Sequence, residues 1–532
     1  MNRTEMLSQA TERGRVWDVI VVGGGATGLG VAVEASSRGF STLLLEQADF
    51  SQGTSSRSTK LIHGGVRYLQ QGNITLVLEA LHERGLLFHN APHLVRHQSF
   101  VVPNYSWWEG PFYGIGMKFY DMLAGKLGIK PSKHLSRERT LELIPTLEPE
   151  DLKGGVMYYD GQFDDARLAV TLALSAEDHG ACLVNGMRVA GLIKNKGLVA
   201  GVRAVDEESG EEGEIMGRCV INATGMFVDD LCKMDDAARE PMIAPSQGVH
   251  IVLDKSFLPG DSAIMVPQTD DGRVLFAVPW HDRVIVGTTD TPIEKPVMEP
   301  VPQEEEIEFL LTHAARYLTK NPERRDVLSI FAGVRPLIGS TGAKKTATLS
   351  RDHHLEVSTS GLITIAGGKW TTYRKMGQDV VDQAKMVAGL PERPSRTEYL
   401  NLHGWSADEA GNAPYTLYGS DARLIKRIEK ETPDLANPMH ERLPYRLAEV
   451  VWAARHEMAR TVEDVLARRT RALILDARAA MDAAPEVARL MAAELGKDQG
   501  WIDAQVKAFT ELAKGYILGN YSACASGGPA GG

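Results

Sequence analysis

The residues with the clearest chemical use are three glycines and one glutamate near the start of the chain. Gly23, Gly25 and Gly28 are spaced Gly-x-Gly-x-x-Gly, directly after a β-branched run at 19–22. The first glycine allows a tight turn, the second lets the backbone approach a pyrophosphate, and the third lets a helix pack closely on the strand. Glu46 ends the next apolar run, 23 residues after Gly23, where its carboxylate can accept hydrogen bonds from a ribose. The pattern predicts a strand, a turn and a helix that bind an adenine dinucleotide.

A loop rich in hydroxyl groups follows this glutamate. Residues 51–60 read Ser-Gln-Gly-Thr-Ser-Ser-Arg-Ser-Thr-Lys, and a His-Gly-Gly sequence comes after the next two apolar residues. Hydroxyls and backbone N–H groups suit the rest of a pyrophosphate and the polar edge of an isoalloxazine ring, and the alternative is a surface loop. The predicted cofactor contacts here are Thr54, Ser55, Ser56, Lys60, His63, Gly64 and Gly65.

Two later strands also run into glycines. One ends in Ala-Thr-Gly at Gly225, and the other runs through Gly367 and Gly368 to Thr371. Flavoproteins of the glutathione-reductase type carry the first pattern where the sheet returns to the cofactor. The second pattern predicts a helix whose N-terminal N–H groups and dipole stabilise negative charge on a reduced flavin. Because no second Gly-x-Gly-x-x-Gly follows a strand, we expect electrons to leave to something other than a nicotinamide, and we identify the cofactor as FAD.

Length and composition indicate a soluble protein of several domains. The 532 residues suffice for about three domains. The net charge is −11, from 58 basic and 69 acidic residues, which argues against a general nucleic-acid binder. Four cysteines show neither metal-binding nor redox spacing, so we expect reduced thiols, no metal site and a cytoplasmic location. Because we find no signal sequence and no run of about 18 apolar residues, we expect any membrane contact to be peripheral.

The order of the elements predicts two interleaved domains followed by a helical one. The expected fold class is α/β: a glutathione-reductase-type, Rossmann-like FAD-binding domain interleaved with an antiparallel-sheet substrate domain, plus an α-helical C-terminal domain. Helical apolar spacing with many Ala, Arg and Glu residues indicates the last of these. The predicted boundaries are 1–17 for a flexible N-terminus, 18–95, 150–245 and 328–390 for FAD binding, 96–149 and 246–327 for the substrate domain, 391–521 for the helical domain, and 522–532 for a disordered tail.

Residues 98–125 are unusually aromatic and have two interpretations. The aromatic residues are Phe100, Tyr105, Trp107, Trp108, Phe112, Tyr113, Phe119 and Tyr120. The segment is either part of the core of the second domain, as aromatic stripes usually are, or a surface that serves as a lid, a quinone entrance or a membrane contact. We favour the core interpretation.

With these segments in place, nearly the whole chain resembles the FAD-dependent, respiratory-type glycerol-3-phosphate dehydrogenases. The motifs that carry the resemblance are at 55–69, 287–290, 332–337 and 367–374. The resemblance implies oxidation of sn-glycerol 3-phosphate to dihydroxyacetone phosphate by hydride transfer to FAD, with electrons passed to a quinone at a membrane surface. It also implies peripheral attachment to the cytoplasmic membrane and a homodimer.

The substrate site follows from this resemblance. Arg67, Arg335 and Arg351 match basic positions of the family's site, and Tyr68 and Lys369 lie in its motifs. A phosphate monoester carries close to two negative charges and is best held by guanidinium groups, which bind its oxygens in a bidentate way. The predicted substrate contacts are Arg67, Tyr68, Arg335, Arg351 and Lys369.

Oxidation of a secondary alcohol needs a base that titrates near neutral pH. His250, in an apolar strand, is one candidate. Lys369 is another if burial and neighbouring arginines lower its pKa, or it instead stabilises the developing alkoxide or the reduced flavin. His250 can also be a core histidine. The predicted catalytic residues are His250, Arg335 and Lys369.

Three alternatives to this function stay open. A glycerol-3-phosphate oxidase shares these motifs and would use molecular oxygen and make hydrogen peroxide, although such oxidases tend to carry an insertion for which this chain is too short. A flavoenzyme for a 2-hydroxy acid or an amine would need one arginine rather than a cluster. A flavin-bearing regulatory or scaffold protein without turnover would not need His250, Arg335 and Lys369 together.

Overall fold

The structure is a computed structural model that describes residues 1–65, 73–125, 128–270, 272–339, 353–407 and 414–519. The strands in these ranges are β1 (Val16–Trp17), β2 (Val19–Val22), β3 (Thr42–Leu45), β4 (Leu61–Ile62), β5 (Val95–Asn104), β6 (Lys133–Leu135), β7 (Gly154–Phe163), β8 (Cys182–Val184), β9 (Met187–Asn195), β10 (Leu198–Asp206), β11 (Glu212–Gly217), β12 (Val220–Asn222), β13 (Ile243–Asp254), β14 (Ala263–Val266), β15 (Leu275–Trp280), β16 (Arg283–Gly287), β17 (Thr291–Pro292), β18 (Val327–Ile338), β19 (His353–Val357) and β20 (Ile363–Gly367). The helices are α1 (Arg3–Ala10), α2 (Ala26–Ser37), α3 (Ile74–Asn90), α4 (Glu109–Ala124), α5 (Arg137–Leu143), α6 (Asp165–Asp178), α7 (Val228–Asp235), α8 (Glu304–Tyr317), α9 (Tyr373–Ala388), α10 (Ala422–Glu431), α11 (Leu447–His456), α12 (Ala472–Leu475), α13 (Ala477–Leu495) and α14 (Gln499–Lys514).

A six-stranded sheet forms the first layer, in the order β19-β20-β12-β2-β3-β8. Its strands are parallel apart from β19. Strands buried on both faces read as continuous apolar runs, and β2 is buried along its whole length. Val22 pairs with both Leu45 and Asn222, so β2, β3 and β12 end side by side. Ligands bind at such carboxyl edges of parallel sheets, and the glycine turn and Glu46 lie there, as predicted.

The first 17 residues form a helix and a strand, which corrects the prediction of a flexible N-terminus. Asn2 caps α1 by accepting hydrogen bonds from the N–H groups of Thr4 and Glu5. Arg3 is buried and pairs with Asp206, 203 residues along the chain. Strand β1 extends a four-stranded sheet of order β1-β11-β10-β9. The segment is polar in composition, but its partners are distant and leave no trace in the local sequence.

A ten-stranded sheet forms the second layer. Its order is β17-β13-β16-β15-β14-β5-β7-β4, with β18 pairing β13 and β6 pairing β7. Strands β7 and β18 therefore belong to this sheet, whereas the predicted boundaries at 150 and 328 put them in the FAD-binding domain. The β13–β18 ladder is antiparallel and joins segments that are far apart in the chain. The correction arises because pairing between distant strands has no local signature.

The C-terminal helices α10–α14 confirm the predicted helical domain, and they share a core with the ten-stranded sheet. One apolar cluster contains Val252, Trp280 and Phe331 from the sheet together with Trp452 and Val465. The helical domain therefore packs directly on the strands that carry the candidate base. The predicted disordered tail lies outside the described residues.

The aromatic segment at 98–125 is divided between core and surface, so the core interpretation holds for only part of it. Phe100 and Tyr120 are buried, whereas Trp107 is 83% exposed and Ile115 is 72% exposed. We use the name α4 apolar face for the exposed apolar residues on or directly before α4, which are Trp107, Trp108, Phe112, Ile115 and Met122. In the described ranges, no helix is both long and apolar enough to cross a membrane.

Candidate active site

A cavity of about 980 Å³ lies between the carboxyl edge of the six-stranded sheet and one face of the ten-stranded sheet. The predicted site residues that line it are Gly23, Gly25, Glu46, Thr54, Ser55, His63, Gly225, His250, Arg335, Gly367, Gly368, Lys369 and Thr371. Those that do not line it are Gly28, Ser56, Lys60, Gly64 and Gly65. Arg67, Tyr68 and Arg351 lie outside the described residues.

The glycine turn has no room for side chains. Gly23 has a φ of 110°, and a Cβ on it would lie 2.6 Å from the carbonyl oxygen of Ala223. A Cβ on Gly28 would overlap the carbonyl oxygen of Gly23, so Gly28 permits the close packing of α2 on β2, as predicted. Gly25 caps α2 and lines the cavity, which places the positive end of the helix dipole there.

Glu46 is tied to this turn through its carboxylate. The carboxylate accepts hydrogen bonds from the N–H of Gly24 at 2.6 Å and of Ala48 at 2.9 Å. Burial raises the pKa of Glu46, and the two N–H donors oppose that rise. The carboxylate therefore lies beside the glycine turn and also lines the cavity. This position suits the binding of a ribose.

The hydroxyl-rich loop forms a wall of the cavity. Ser55 Oγ accepts from the N–H of Ala26 at 2.9 Å, and the Ser55 carbonyl accepts from Trp370 Nε1 at 2.8 Å. Thr54 Oγ1 donates to the carbonyl of Val334 at 2.6 Å. These bonds connect the loop to α2, to β18 and to the turn before α9, so the surface-loop interpretation is wrong.

The structure does not bring Lys60 to the cavity, although the sequence predicts a cofactor contact. Its ammonium group is fully buried, pairs with Asp165 at 2.6 Å, and donates to the carbonyls of Ser56 at 2.8 Å and Ser58 at 3.1 Å. Burial lowers the pKa of Lys60 to about 8, against the opposing effect of Asp165. Lys60 therefore stabilises the hydroxyl-rich loop through its carbonyls and does not line the cavity. The local sequence gives no sign of Asp165, which lies 105 residues away.

His250 lies on β13 and lines the cavity. Its ring stacks on Phe331 of β18 with centroids 4.8 Å apart, and its Nε2 is 2.9 Å from Thr59 Oγ1. Its Nδ1 is buried and has no hydrogen-bond partner among the described residues. Burial, and then the charges of Lys60 and Arg335, hold the pKa of His250 well below 6.5. His250 therefore does not titrate near neutral pH, which corrects the expectation for the base. Its imidazole is neutral at pH 7 and retains a nitrogen that can accept a proton.

Arg335 lies on β18 and supplies positive charge on the same sheet face. Its Nη1 donates to the carbonyl of Thr289 at 3.1 Å, and its Nη2 donates to Thr288 Oγ1 at 3.0 Å. Asp290 lies 3.5 Å from Nη1. A guanidinium carries five N–H donors and a permanent charge, so this group suits an anionic substituent of a molecule in the cavity.

Two glycines and an arginine that are not among the predicted site residues also shape this face. A Cβ on Gly248 would lie 2.6 Å from Arg335 Cζ, and a Cβ on Gly333 would lie 2.9 Å from Arg57 Cβ. Arg57 is buried, lines the cavity and pairs with Glu299. Glycines inside apolar strands are the signal that could have found this arrangement, since they mark places where another group comes close.

Lys369 follows two glycines at the end of β20 and lines the cavity. Gly367 and Gly368 have φ values of 75° and 79°, which turn the chain sharply there. Two residues on, Thr371 Oγ1 donates to the carbonyl of His63 at 3.3 Å. Helix α9 begins directly after this turn, which places a second positive helix end at the cavity, as predicted.

The residues present fit an FAD molecule. A cradle without side chains beside a helix N-terminus suits a pyrophosphate, and the buried carboxylate of Glu46 suits a ribose. The same cavity reaches a neutral His250 and a cationic Arg335, which offer a substrate a base and an anion site. Within the described ranges, no group of three or more His, Cys, Asp or Glu residues is arranged to hold a metal ion.

The chain matches two protein-family models. One is described as "FAD dependent oxidoreductase" and covers residues 18–374, and the other is described as "C-terminal domain of alpha-glycerophosphate oxidase" and covers 358–501. The mitochondrial glycerol-3-phosphate dehydrogenase of Mus musculus is 42% identical over 536 residues, which cover 94% of this chain and 73% of that protein. The probable mitochondrial glycerol-3-phosphate dehydrogenase of Caenorhabditis elegans is 41% identical over 538 residues, 95% of this chain and 74% of that protein.

Solved structures agree with these relatives. The glycerol-3-phosphate dehydrogenase from Bacillus halodurans, complexed with FAD, has a TM-score of 0.79 at 29% identity and covers 97% of both chains. The L-alpha-glycerophosphate oxidase from Mycoplasma pneumoniae, with FAD bound, has a TM-score of 0.56 at 17% identity over 72% of this chain and 97% of that chain, a likeness in fold alone. The predicted fold class and cofactor are thereby confirmed. The chain belongs to the family of FAD-dependent glycerol-3-phosphate dehydrogenases.

Proposed function

We propose that the protein oxidises sn-glycerol 3-phosphate to dihydroxyacetone phosphate and passes the electrons to a membrane quinone. The observation that carries this proposal is that one cavity contains the glycine turn together with a neutral His250 and a cationic Arg335. Oxidation of an alcohol needs a base, and a phosphate needs a cation. The names of the relatives and of the Bacillus halodurans protein support the same substrate.

Positive charge around the cavity binds the substrate phosphate in this proposal. Thr288 and Thr289 accept hydrogen bonds from Arg335, and these bonds fix its guanidinium group in the cavity wall. Lys369 lines the same cavity and adds a second cation. Arg67, Tyr68 and Arg351 stay predicted substrate ligands through the family resemblance.

His250 is the proposed base for the C2 hydroxyl of the substrate. Thr59 Oγ1 fixes the ring through Nε2, and stacking on Phe331 fixes its plane. Lys369 stabilises negative charge on the substrate oxygen as the proton leaves. When bound, FAD supplies the two-electron acceptor for the hydrogen on the same carbon.

Quinone reduction requires contact with a bilayer, and the α4 apolar face supports such contact. It places two tryptophans directly before α4, and Phe112, Ile115 and Met122 on α4, in solvent. Lys118 on α4 and Lys130 and Lys133 after it are exposed as well. Apolar side chains with neighbouring lysines are typical of helices that lie in the plane of a membrane surface. We infer peripheral attachment to the cytoplasmic membrane through this face.

The second candidate is an oxidase that uses molecular oxygen, and the description of the family model over 358–501 favours keeping it. Peroxide yield separates the two. We expect purified protein that turns over glycerol 3-phosphate with a short-chain quinone to form hydrogen peroxide in air at under a tenth of the quinone rate. Peroxide formation in a one-to-one ratio with dihydroxyacetone phosphate, at the full rate in air, would establish the oxidase.

A further inference from the structure

Tyr120 joins the surface helix α4 to the wall of the cavity. Its side chain points inward, is 2% exposed and packs with Val77 and Leu81 of α3. Its hydroxyl accepts a hydrogen bond from the N–H of Gly64 at 2.8 Å and donates to the carboxylate of Asp160, whose two oxygens are each 3.1 Å away. A tyrosine hydroxyl can donate once and accept, so both capacities are used here.

The carboxylate that orients this hydroxyl is itself held. Arg84 Nη1 donates to Asp160 Oδ1 at 2.5 Å, and both side chains are buried. Arg84 comes from α3, Asp160 from β7 and Tyr120 from α4, so the carboxylate of Asp160 links three elements. Arg84 Nε is buried without a hydrogen-bond partner among the described residues, so the network is not fully satisfied. The bonds from Arg84 to Asp160 and from Tyr120 to Asp160 nevertheless fix the direction of the Tyr120 hydroxyl.

The N–H that Tyr120 receives belongs to the peptide between His63 and Gly64. The carbonyl of the same peptide accepts the hydrogen bond from Thr371 Oγ1, at 3.3 Å. The N–H and C=O of a trans peptide point in opposite directions, so this peptide plane is held from two sides. Thr371 and His63 both line the cavity, whereas Tyr120 approaches from the surface helix.

Gly64 has no room for a side chain. A Cβ on Gly64 would lie 2.5 Å from Tyr120 Oη and 2.5 Å from Leu81 Cδ2. Immediately upstream, Leu61 and Ile62 pair with β7, the strand that carries Asp160. The backbone at His63 is therefore set by β7, by Thr371 and by the Tyr120 hydroxyl together.

We propose that Tyr120 is a positioning residue for the reaction: its hydroxyl fixes the His63–Gly64 peptide, and with it the position of His63 in the cavity wall. The proposal rests on the function proposed above, because turnover of glycerol 3-phosphate is one of its readouts. It assigns to a side chain on the surface helix a role that acts through the backbone and not through contact with substrate.

The test is Tyr120→Phe in the full-length, FAD-loaded protein. The ring and its packing on α3 stay, while the Gly64 N–H loses its buried acceptor, a loss that is costly for a buried group. We expect kcat/KM for glycerol 3-phosphate, measured with a water-soluble acceptor dye, to fall about tenfold, which corresponds to about 1.4 kcal/mol. We also expect the visible circular dichroism of the flavin to change while the FAD content per chain stays constant. Tyr113→Phe, on the same helix but packed in a different cluster, is the matched control and should leave both readouts unchanged.

Three outcomes overturn the proposal. The first is a Tyr120→Phe protein with wild-type kcat/KM and an unchanged flavin spectrum. The second is a loss of activity that only parallels a loss of FAD or of folded protein, because that would be a purely structural effect. Should Tyr120→Phe not fold, Asp160→Asn takes its place, since it keeps an oxygen for the hydroxyl but not the charge, and an unchanged flavin spectrum in that variant is the third. Failure of the proposed function is distinguishable, because then wild-type protein would not be bleached by glycerol 3-phosphate, and the flavin spectra alone would decide the role of Tyr120.

Discussion

The imidazole of His250 lies directly against the backbone of Gly287, the residue opposite it in the β13–β16 ladder. A Cβ on Gly287 would lie 2.7 Å from His250 Nε2 and 2.8 Å from Cγ. The missing side chain of one strand therefore provides the space for the candidate base on the next. Gly248 does the same for the guanidinium of Arg335.

Substituting Gly287→Ala should impair turnover by displacing His250. The new methyl group cannot fit without moving the imidazole, and inserting a carbon into a packed site typically costs about 1–3 kcal/mol. We expect kcat/KM to fall by about tenfold or more with FAD still bound. Gly500→Ala, where the nearest atom to the new Cβ would be 3.4 Å away, is the control and should be neutral. Wild-type kinetics in Gly287→Ala would show that His250 needs no fixed position.

Removing the guanidinium of Arg335 should weaken substrate binding and leave the flavin in place. Arg335→Ala takes away a charge-assisted donor, so we expect kcat/KM to fall about a hundredfold. Arg335→Lys should recover only part of the loss, because an ammonium group cannot bind two phosphate oxygens as a fork does. Steady-state kinetics and the flavin absorbance of the purified variants measure both effects. Arg316→Ala, an exposed arginine paired with Asp270, is the control. Unchanged kinetics in Arg335→Ala would contradict the assignment.

The rate should stay high at pH values where an ordinary histidine is protonated. The pKa of His250 lies well below 6.5, so the acid limb of kcat/KM against pH should lie below pH 6.5. His250→Asn should lose between about 10²- and 10⁴-fold in rate and also lose this limb. His313→Asn, a buried histidine on α8 outside the cavity, serves as the control. Persistence of the same limb in His250→Asn would assign the base elsewhere.

Stability should follow the same titration in a defined direction. In the unfolded chain His250 takes up a proton below about pH 6.5, while in the folded protein burial keeps it neutral. The unfolded state thus binds more protons there, so the free energy of unfolding falls as pH drops below 6.5. Urea titrations of wild-type protein and His250→Asn between pH 5 and pH 8 should differ in this slope. Parallel slopes would mean that His250 takes up its proton at the same pH in the folded protein as in the unfolded chain.

The free energy of unfolding should depend on the buried carboxylate of Asp49, which pairs with two arginines of the C-terminal domain. Asp49 accepts from Arg468 Nε at 2.6 Å and from Arg469 Nη2 at 2.8 Å. Asp49→Ala leaves those guanidinium groups without this partner inside the protein, so we expect a loss of about 3–5 kcal/mol in the free energy of unfolding. Glu142→Ala, which breaks an exposed pair with Arg139, should cost under about 1 kcal/mol. Equal costs for the two changes in urea unfolding would show that the buried pair adds nothing.

Charged residues on the α4 apolar face should reduce membrane binding. The double substitution Trp107→Asp and Ile115→Asp removes two exposed apolar side chains that would be buried in lipid. Burial of each contributes about 1.5–3 kcal/mol to the free energy of membrane binding. We expect the fraction of protein that floats with anionic phospholipid vesicles to fall at least tenfold, with unchanged turnover of a soluble dye. Val301→Asp, an exposed apolar residue far along the chain, is the control. Equal flotation of the double variant and wild type would place the membrane contact on another surface.

Local patterns were sufficient to predict the glycine turn and Glu46 in the cavity wall, whereas Ser56, Lys60, Gly64 and Gly65 do not line the cavity. The glycine turn and Glu46 each depend on residues close to one another in the chain. The start of α8 is local in the same way, because three glutamates follow Gln303 and Glu306 completes a capping box there. Because each of these features is encoded in a short segment, it can be predicted from a single sequence.

Long-range pairing explains the remaining errors. The local sequence shows the charge of Lys60 but not Asp165, the partner that draws it away from the cavity. Strands β7 and β18 are buried over most of their length, as β2 and β3 of the six-stranded sheet are, and only pairing with β5 and β13 assigns them to the ten-stranded sheet. The face of α4 that turns to solvent also depends on what packs against its other side. These properties belong to contacts between distant segments.

The proposed substrate is tested by anaerobic mixing of the purified protein with glycerol 3-phosphate while the flavin absorbance is recorded. We expect rapid bleaching of the visible absorption of the oxidised flavin, and fast recovery when a quinone analogue is added. We also expect glycerol and lactate, which lack the phosphate, to leave the flavin oxidised. A flavin that stays oxidised with glycerol 3-phosphate would contradict the proposed substrate and the roles of His250 and Arg335 with it.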